Sequence, residues 1–272
     1  MLLLDDGRLE LDTNISDRAK LGAKNMDSRP GVLEFNIEPG QVFRVLVGCI
    51  VLLAAAGIAV SVAAVGFGRP TLYGLGPLFD LDREATVPAL FSCSMLLFAA
   101  CLLGILARES TRHGDRWRWH WTVLALGFVF LALDEGAGIH EHLNRPIREL
   151  LHAPGFATAW LVPATVPVVV LAVLYLPFLR ALSRRHAGLF LGSGLLFLLG
   201  AVGLEAVAGG IIERQGKANF AYQAEVWAEE SCEMLGAALF IYALLNYLAE
   251  LGLAVRLQAV RRSRGSVRSV QL

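Results

Sequence analysis

The sequence predicts an all-α integral membrane bundle with six transmembrane helices, and three observations predict it. The chain of 272 residues is 56% hydrophobic and only 18% charged, against about a quarter charged in soluble domains. Apolar runs of about 20 residues recur along it, each long enough to cross a bilayer as a helix. Lysine and arginine gather in alternate connections between those runs, as they do when one side of a membrane is cytoplasmic. The 24 basic and 24 acidic residues cancel, which leaves no bulk electrostatic basis for a nucleic-acid partner. Membrane lipid is the expected surrounding.

Residues 1–41 read as a cytoplasmic, largely disordered tail, polar and punctuated by Pro30-Gly31 and Pro39-Gly40. The apolar patch Met1–Leu4 is too short for the core of a signal peptide, and Val32–Ile37 is a candidate interfacial segment. The membrane domain, residues 42–249, holds spans at about 42–66, 87–107, 119–141, 157–180, 187–212 and 222–248. Between the third and fourth, Asn144 followed by Pro146 predicts a short capped helix up to His152. Residues 250–272 form a basic cytoplasmic tail. The cysteines Cys49, Cys93, Cys101 and Cys232 all lie in apolar runs without a CxxC pair. They read as small core residues rather than a disulfide framework or thiolate zinc site.

Basic residues set the orientation. Lys24, Arg29 and Arg44 flank the start of the first span, four arginines join the second to the third, and Arg180, Arg184 and Arg185 join the fourth to the fifth. The alternate loops hold two basic residues each. Both termini are therefore expected in the cytoplasm of a cell with a bacterial inner membrane. Trp117, Trp119 and Trp121 are expected at the cytoplasmic boundary, and Trp160 and Trp227 near the outer one.

On that topology the acids fall together. Asp134, Glu205 and Glu229 lie on three different spans, each roughly 10–12 Å below the outer boundary at ~1.5 Å per residue. An acid at bilayer depth costs about 2.5–3.5 kcal/mol on insertion scales, and intramembrane acids are functional by default. No lysine or arginine lies within these spans to offset them. The candidate ligands of a divalent metal ion (Zn, Fe or Mn) are Asp134, Glu135, His140, Glu205, Glu229 and Glu233, since carboxylates and imidazoles suit these metals. Glu141, His142, Glu230 and Glu225 are expected at its rim, Glu225 mainly as an interfacial residue. Asp80, Asp82 and Glu84 read as caps and loop charges on the same side. Gly200, Gly203, Ala206, Gly209 and Gly210 predict a small-residue stripe that brings Glu205 against the third or sixth span.

The strings Phe79-Asp80-Leu81-Asp82-x-Glu84, Leu133-Asp134-Glu135-x-x-x-Ile139-His140-Glu141, Gly203-Leu204-Glu205 and Glu229-Glu230-Ser231-x-Glu233-Met234-Leu235-Gly236 resemble a family of uncharacterised bacterial polytopic membrane proteins. The resemblance covers about residues 70–250. It implies the same segment map and carries no activity with it.

Two functional classes follow from the residues. One is a membrane-embedded metal site, serving an enzyme or a sensor; the alternative is a proton- or cation-coupled transporter that uses the same acids as a relay. The HExxH zinc motif and the repeated histidine motifs of membrane desaturases are absent. A retinal protein is excluded, because Lys20, Lys24 and Lys217 are the only lysines and none lies in a span.

Overall fold

The computed structural model describes residues 38–152 and 156–252. Residues 1–37 and 253–272 of the expected tails, the interfacial segment at 32–37 and the loop residues 153–155 lie outside the described residues; Pro39–Gln41, expected in the N-terminal tail, already belong to the first helix. Six helices in the described chain are long and apolar enough to cross a membrane: Pro39–Phe67, Val87–Arg112, Arg118–Ala137, Leu161–Ala181, Arg184–Gln215 and Phe220–Glu250. The protein is thus a multi-pass helical bundle, as its composition dictates.

Local chemistry sets the helix ends. Thr86 caps the second span by accepting from the Ala89 amide at 3.3 Å, with Pro88 in the first turn where its missing N–H costs nothing. Asn219 caps the sixth by accepting from the Tyr222 amide at 2.9 Å. Gly138 ends the third span with φ of +57°, a left-handed conformation that a residue with a Cβ enters at a cost of roughly 1–2 kcal/mol. The expected span to residue 141 therefore stops at Ala137. A separate helix, Ile139–Leu151, starts directly after the turn and absorbs the shorter helix predicted from Asn144. Asn144 is not a cap; it sits inside this helix and accepts from the Trp160 amide at 3.1 Å.

The sixth span is the hub. It packs against the first, second and fifth spans, burying Met234, Ala237, Ala238, Ile241, Leu244 and Leu248. The second and third spans pack closely along their length, where the Cys93 thiol donates to the Ala132 carbonyl at 3.2 Å. Of the most apolar stretch of each helix, 56% is buried in the sixth span but only 11% in the third and in the fourth. Leu126, Phe130, Val173 and Leu174 on those two helices are exposed, the surface a bilayer solvates. Trp121, expected at a membrane boundary, is buried within the bundle: its ring lies 4.8 Å from Phe178 and 5.3 Å from Tyr247, centroid to centroid.

Two glycines let the fifth and sixth spans meet backbone to backbone. A Cβ on Gly236 would stand 2.7 Å from the Phe197 amide nitrogen, and one on Gly200 would stand 2.8 Å from the Glu229 carbonyl oxygen. The expected contact between the fifth and sixth spans is present, but the stripe is split. Leu199–Leu204 is a π-helical turn, whose extra residue rotates everything after it by about 100°. Gly200 therefore faces the sixth span and Gly209 faces Thr158, while Gly203 and Ala206 are exposed.

Candidate functional site

At the end of the bundle where the second and sixth spans begin, a cavity of about 340 Å³ opens between the helices. Glu135, Glu205, Glu229 and Glu230 reach its wall from the third, fifth and sixth spans. Glu205 is the first residue after the π-helical turn, so the irregular backbone sets its direction. The Trp160 indole donates to its carboxylate at 3.2 Å. The carboxyl of Glu229 stands within hydrogen-bonding reach of that of Glu205. Glu135 has Ser92 of the second span beside its carboxyl. Glu233, one turn further along the sixth span, lies over Gly200 and within the field of Glu135, Glu205 and Glu229 without reaching the cavity wall.

Asp134 and His140 form a pair across the Gly138 turn. Asp134 accepts from the His140 amide at 2.8 Å and from its Nδ1 at 3.0 Å. This fixes the ring, which packs 5.0 Å from Trp160. Burial alone disfavours the imidazolium, but the Asp134 hydrogen bond and charge outweigh it and hold the His140 pKa above its ordinary value. A raised folded-state pKa contributes stability that is fully present below the unfolded value of about 6.5 and is lost as pH rises through the folded value. The gap in melting temperature between the wild-type chain and Asp134→Asn is therefore expected to be widest near pH 6 and to narrow on going to pH 9. A gap that is constant across this range would overturn the assignment.

The rim differs from the sequence expectation in two ways. Glu141 and Glu230 do line the cavity, but His142 is turned away, its Nδ1 donating to the Gly138 carbonyl at 2.6 Å. The Gly138 turn is the reason, because it ends the register that related residues 134 and 135 to residues 141 and 142. Glu225, read from the sequence as an interfacial residue, is buried. It is 7% exposed, and neither carboxyl oxygen has a hydrogen-bond partner among the described residues; its electrostatic neighbours are Glu205 and Asp82. It shares a helix face with Tyr222 and Glu229, both on the cavity wall.

The loop before the second span is part of the site rather than a set of caps. Asp82 accepts from the Tyr222 hydroxyl and from Lys217 at 3.2 Å, joining that loop to the sixth span. Glu84 lies against Gly138, where burial and the facing Glu141 push its carboxyl pKa up. Asp80 accepts from the Asp82 amide at 3.1 Å and shapes the loop; burial raises its pKa as well. The remaining wall includes residues that sequence reasoning passed over: Arg83, Arg148, Lys217, Asn144 and Thr158. For Arg83 the available signal was the spacing Asp80-x-Asp82-x-Glu84, which places acids on a loop that faces the same side; the other four had none.

Trp227 lies at this end too, its indole donating to Ser61 of the first span at 3.3 Å. Among the described residues no three His, Cys, Asp or Glu side chains already stand in metal-ligand geometry. No curated protein and no solved structure matches the chain. A family model described as a domain of unknown function (DUF8692) matches residues 45–248, from the first spanning helix into the end of the sixth, and the chain belongs to that family.

Proposed function

We propose that this membrane protein binds a divalent cation (Zn, Fe or Mn) in its carboxylate-lined cavity, as the site of a membrane-embedded metal-dependent enzyme or a sensor. The arginine asymmetry supports a cavity that faces outward from a bacterial inner membrane, with both termini inside. The observation that carries the reading is the meeting of Glu205 and Glu229, carboxyl to carboxyl, inside a cavity that Glu135 and Glu230 also line. Two ionised carboxylates at that range repel, and a divalent ion between them turns the repulsion into attraction.

In this reading Glu205, Glu229 and Glu135 hold the ion after small rotations of their carboxyl groups. Trp160 holds Glu205 in place through its indole N–H. The Asp134–His140 pair fixes the helix that closes the cavity. A bound ion of this kind acts as a Lewis acid and activates water. The deciding measurement is elemental analysis of protein purified in detergent. One divalent ion per chain is expected in the wild type and none in the Glu205→Gln, Glu229→Gln double variant. Well-folded wild-type protein that takes up no ion when titrated with Zn²⁺ or Mn²⁺ would overturn it.

The same pair favours one alternative, a proton- or cation-coupled transporter. Without an ion, adjoining carboxyls are relieved by sharing a proton, and Glu233 and Glu225 extend the acidic row along the sixth span. Metal-free protein that carries protons into proteoliposomes would select this reading.

A further inference from the structure

The bases on the cavity wall, Arg83, Arg148 and Lys217, all stand on the connections at its rim, where Asp82, Glu84 and Glu141 also stand; the remaining acids, Glu135, Glu205, Glu229 and Glu230, stand on spanning helices. Lys217 is taken up by Asp82 at 3.2 Å. Arg83 and Arg148 make no ion pair among the described residues, although Arg145 on the same helix pairs with Glu149 at 3.1 Å. Arg83 is exposed, as a solvated loop charge would be, but Arg148 is half-buried on the wall.

Arg148 is carried by the helix Ile139–Leu151, which has two working edges. His140, Asn144 and Arg148, four residues apart, line the cavity. Leu143, Leu150 and Leu151 form an apolar edge left uncovered, Leu150 being 77% exposed. The helix starts immediately after a spanning helix ends at Ala137, so it lies at the membrane boundary, and an apolar edge there is solvated by lipid. One short helix thus touches the lipid surface with one edge and the cavity with the other.

We propose that the cavity takes the phosphate-bearing headgroup of a membrane lipid, entering past this helix, with its phosphate on Arg148 and Arg83. The inference rests on the cation reading, because a cation held by the deeper carboxylates offsets the charge that would otherwise repel a phosphate. Arginine suits the role, since its planar fork matches phosphate oxygens.

The test is calorimetric titration of the full chain in detergent with dihexanoyl phosphatidic acid, inorganic phosphate and dihexanoylglycerol, each with Mn²⁺ and with EDTA. The phosphatidic acid is expected to bind at least about tenfold more tightly than either of the others. Arg148→Gln is expected to weaken it about tenfold or more, the range for loss of a hydrogen bond to a charged group. Arg145→Gln removes the same charge from the same helix away from the cavity and is expected to leave binding unchanged. Inorganic phosphate binding as tightly as the lipid, the uncharged lipid binding as tightly, or Arg148→Gln binding like the wild type would each overturn the proposal. Metal bound without lipid binding fails this proposal alone. Arg148-dependent lipid binding that persists in EDTA, in a chain that takes up no metal, supports it while the cation reading fails.

Discussion

Glu229→Gln is expected to weaken divalent-cation binding by about 100-fold or more, with the fold intact. Loss of even an outer partner of a metal site costs about 10–100-fold in affinity, and in the proposed site Glu229 is a direct ligand. The substitution keeps side-chain volume and helix propensity and removes one negative charge. It also relieves the contact with Glu205, so the variant is expected to melt no lower than the wild type when both are metal-free. Isothermal titration with Mn²⁺ reads the first effect and a thermal melt in EDTA the second. Unchanged affinity in Glu229→Gln would remove the sixth span from the site. The paired change Glu141→Gln, on the exposed part of the rim, is expected to alter affinity by much less.

Gly236→Leu is expected to abolish the native bundle. A side chain there has no room, because even a Cβ would meet the Phe197 amide nitrogen at 2.7 Å and its Cα at 2.9 Å. Overpacking a core ordinarily costs about 1–3 kcal/mol, when neighbouring side chains can yield. Here the neighbour is backbone, so the loss is expected to exceed about 3 kcal/mol. The fifth and sixth helices must then separate, taking Glu205 away from Glu229. Size-exclusion profiles and thermal stability in detergent measure this. Gly210→Ala, on the fifth span with open space where its Cβ would go, is the control and is expected to be neutral or slightly stabilising, as Ala is the better helix former.

The spans were legible because a bilayer imposes one length and one composition on every helix that crosses it. The gathering of Asp134, Glu205 and Glu229 at one end of the bundle was legible for a related reason: depth is counted along a helix of fixed rise. Rotation was not legible. Gly138 breaks the third span, so His142 leaves the rim where an unbroken helix would have held it. The π-helical turn before Glu205 shifts the register of the fifth span, which strands Gly203 and Ala206 on the outside. Neither irregularity has a signature in residue type, because glycine also occurs inside regular membrane helices. The burial of Glu225 was hidden in another way. Its closeness to the helix start looked like exposure, but the Asp82 loop packs back toward Tyr222 and covers that end.

The central position of the sixth span sets an order of events during synthesis. The first, second and fifth helices all pack against it, yet it leaves the ribosome after every one of them. Until it inserts, five helices wait in the bilayer without the partner that fills their common core, and Glu135 and Glu205 wait without the helix that carries Glu229, Glu230 and Glu233. The bundle and the acidic cavity therefore close in a single late step, and a chain halted before Phe220 has neither.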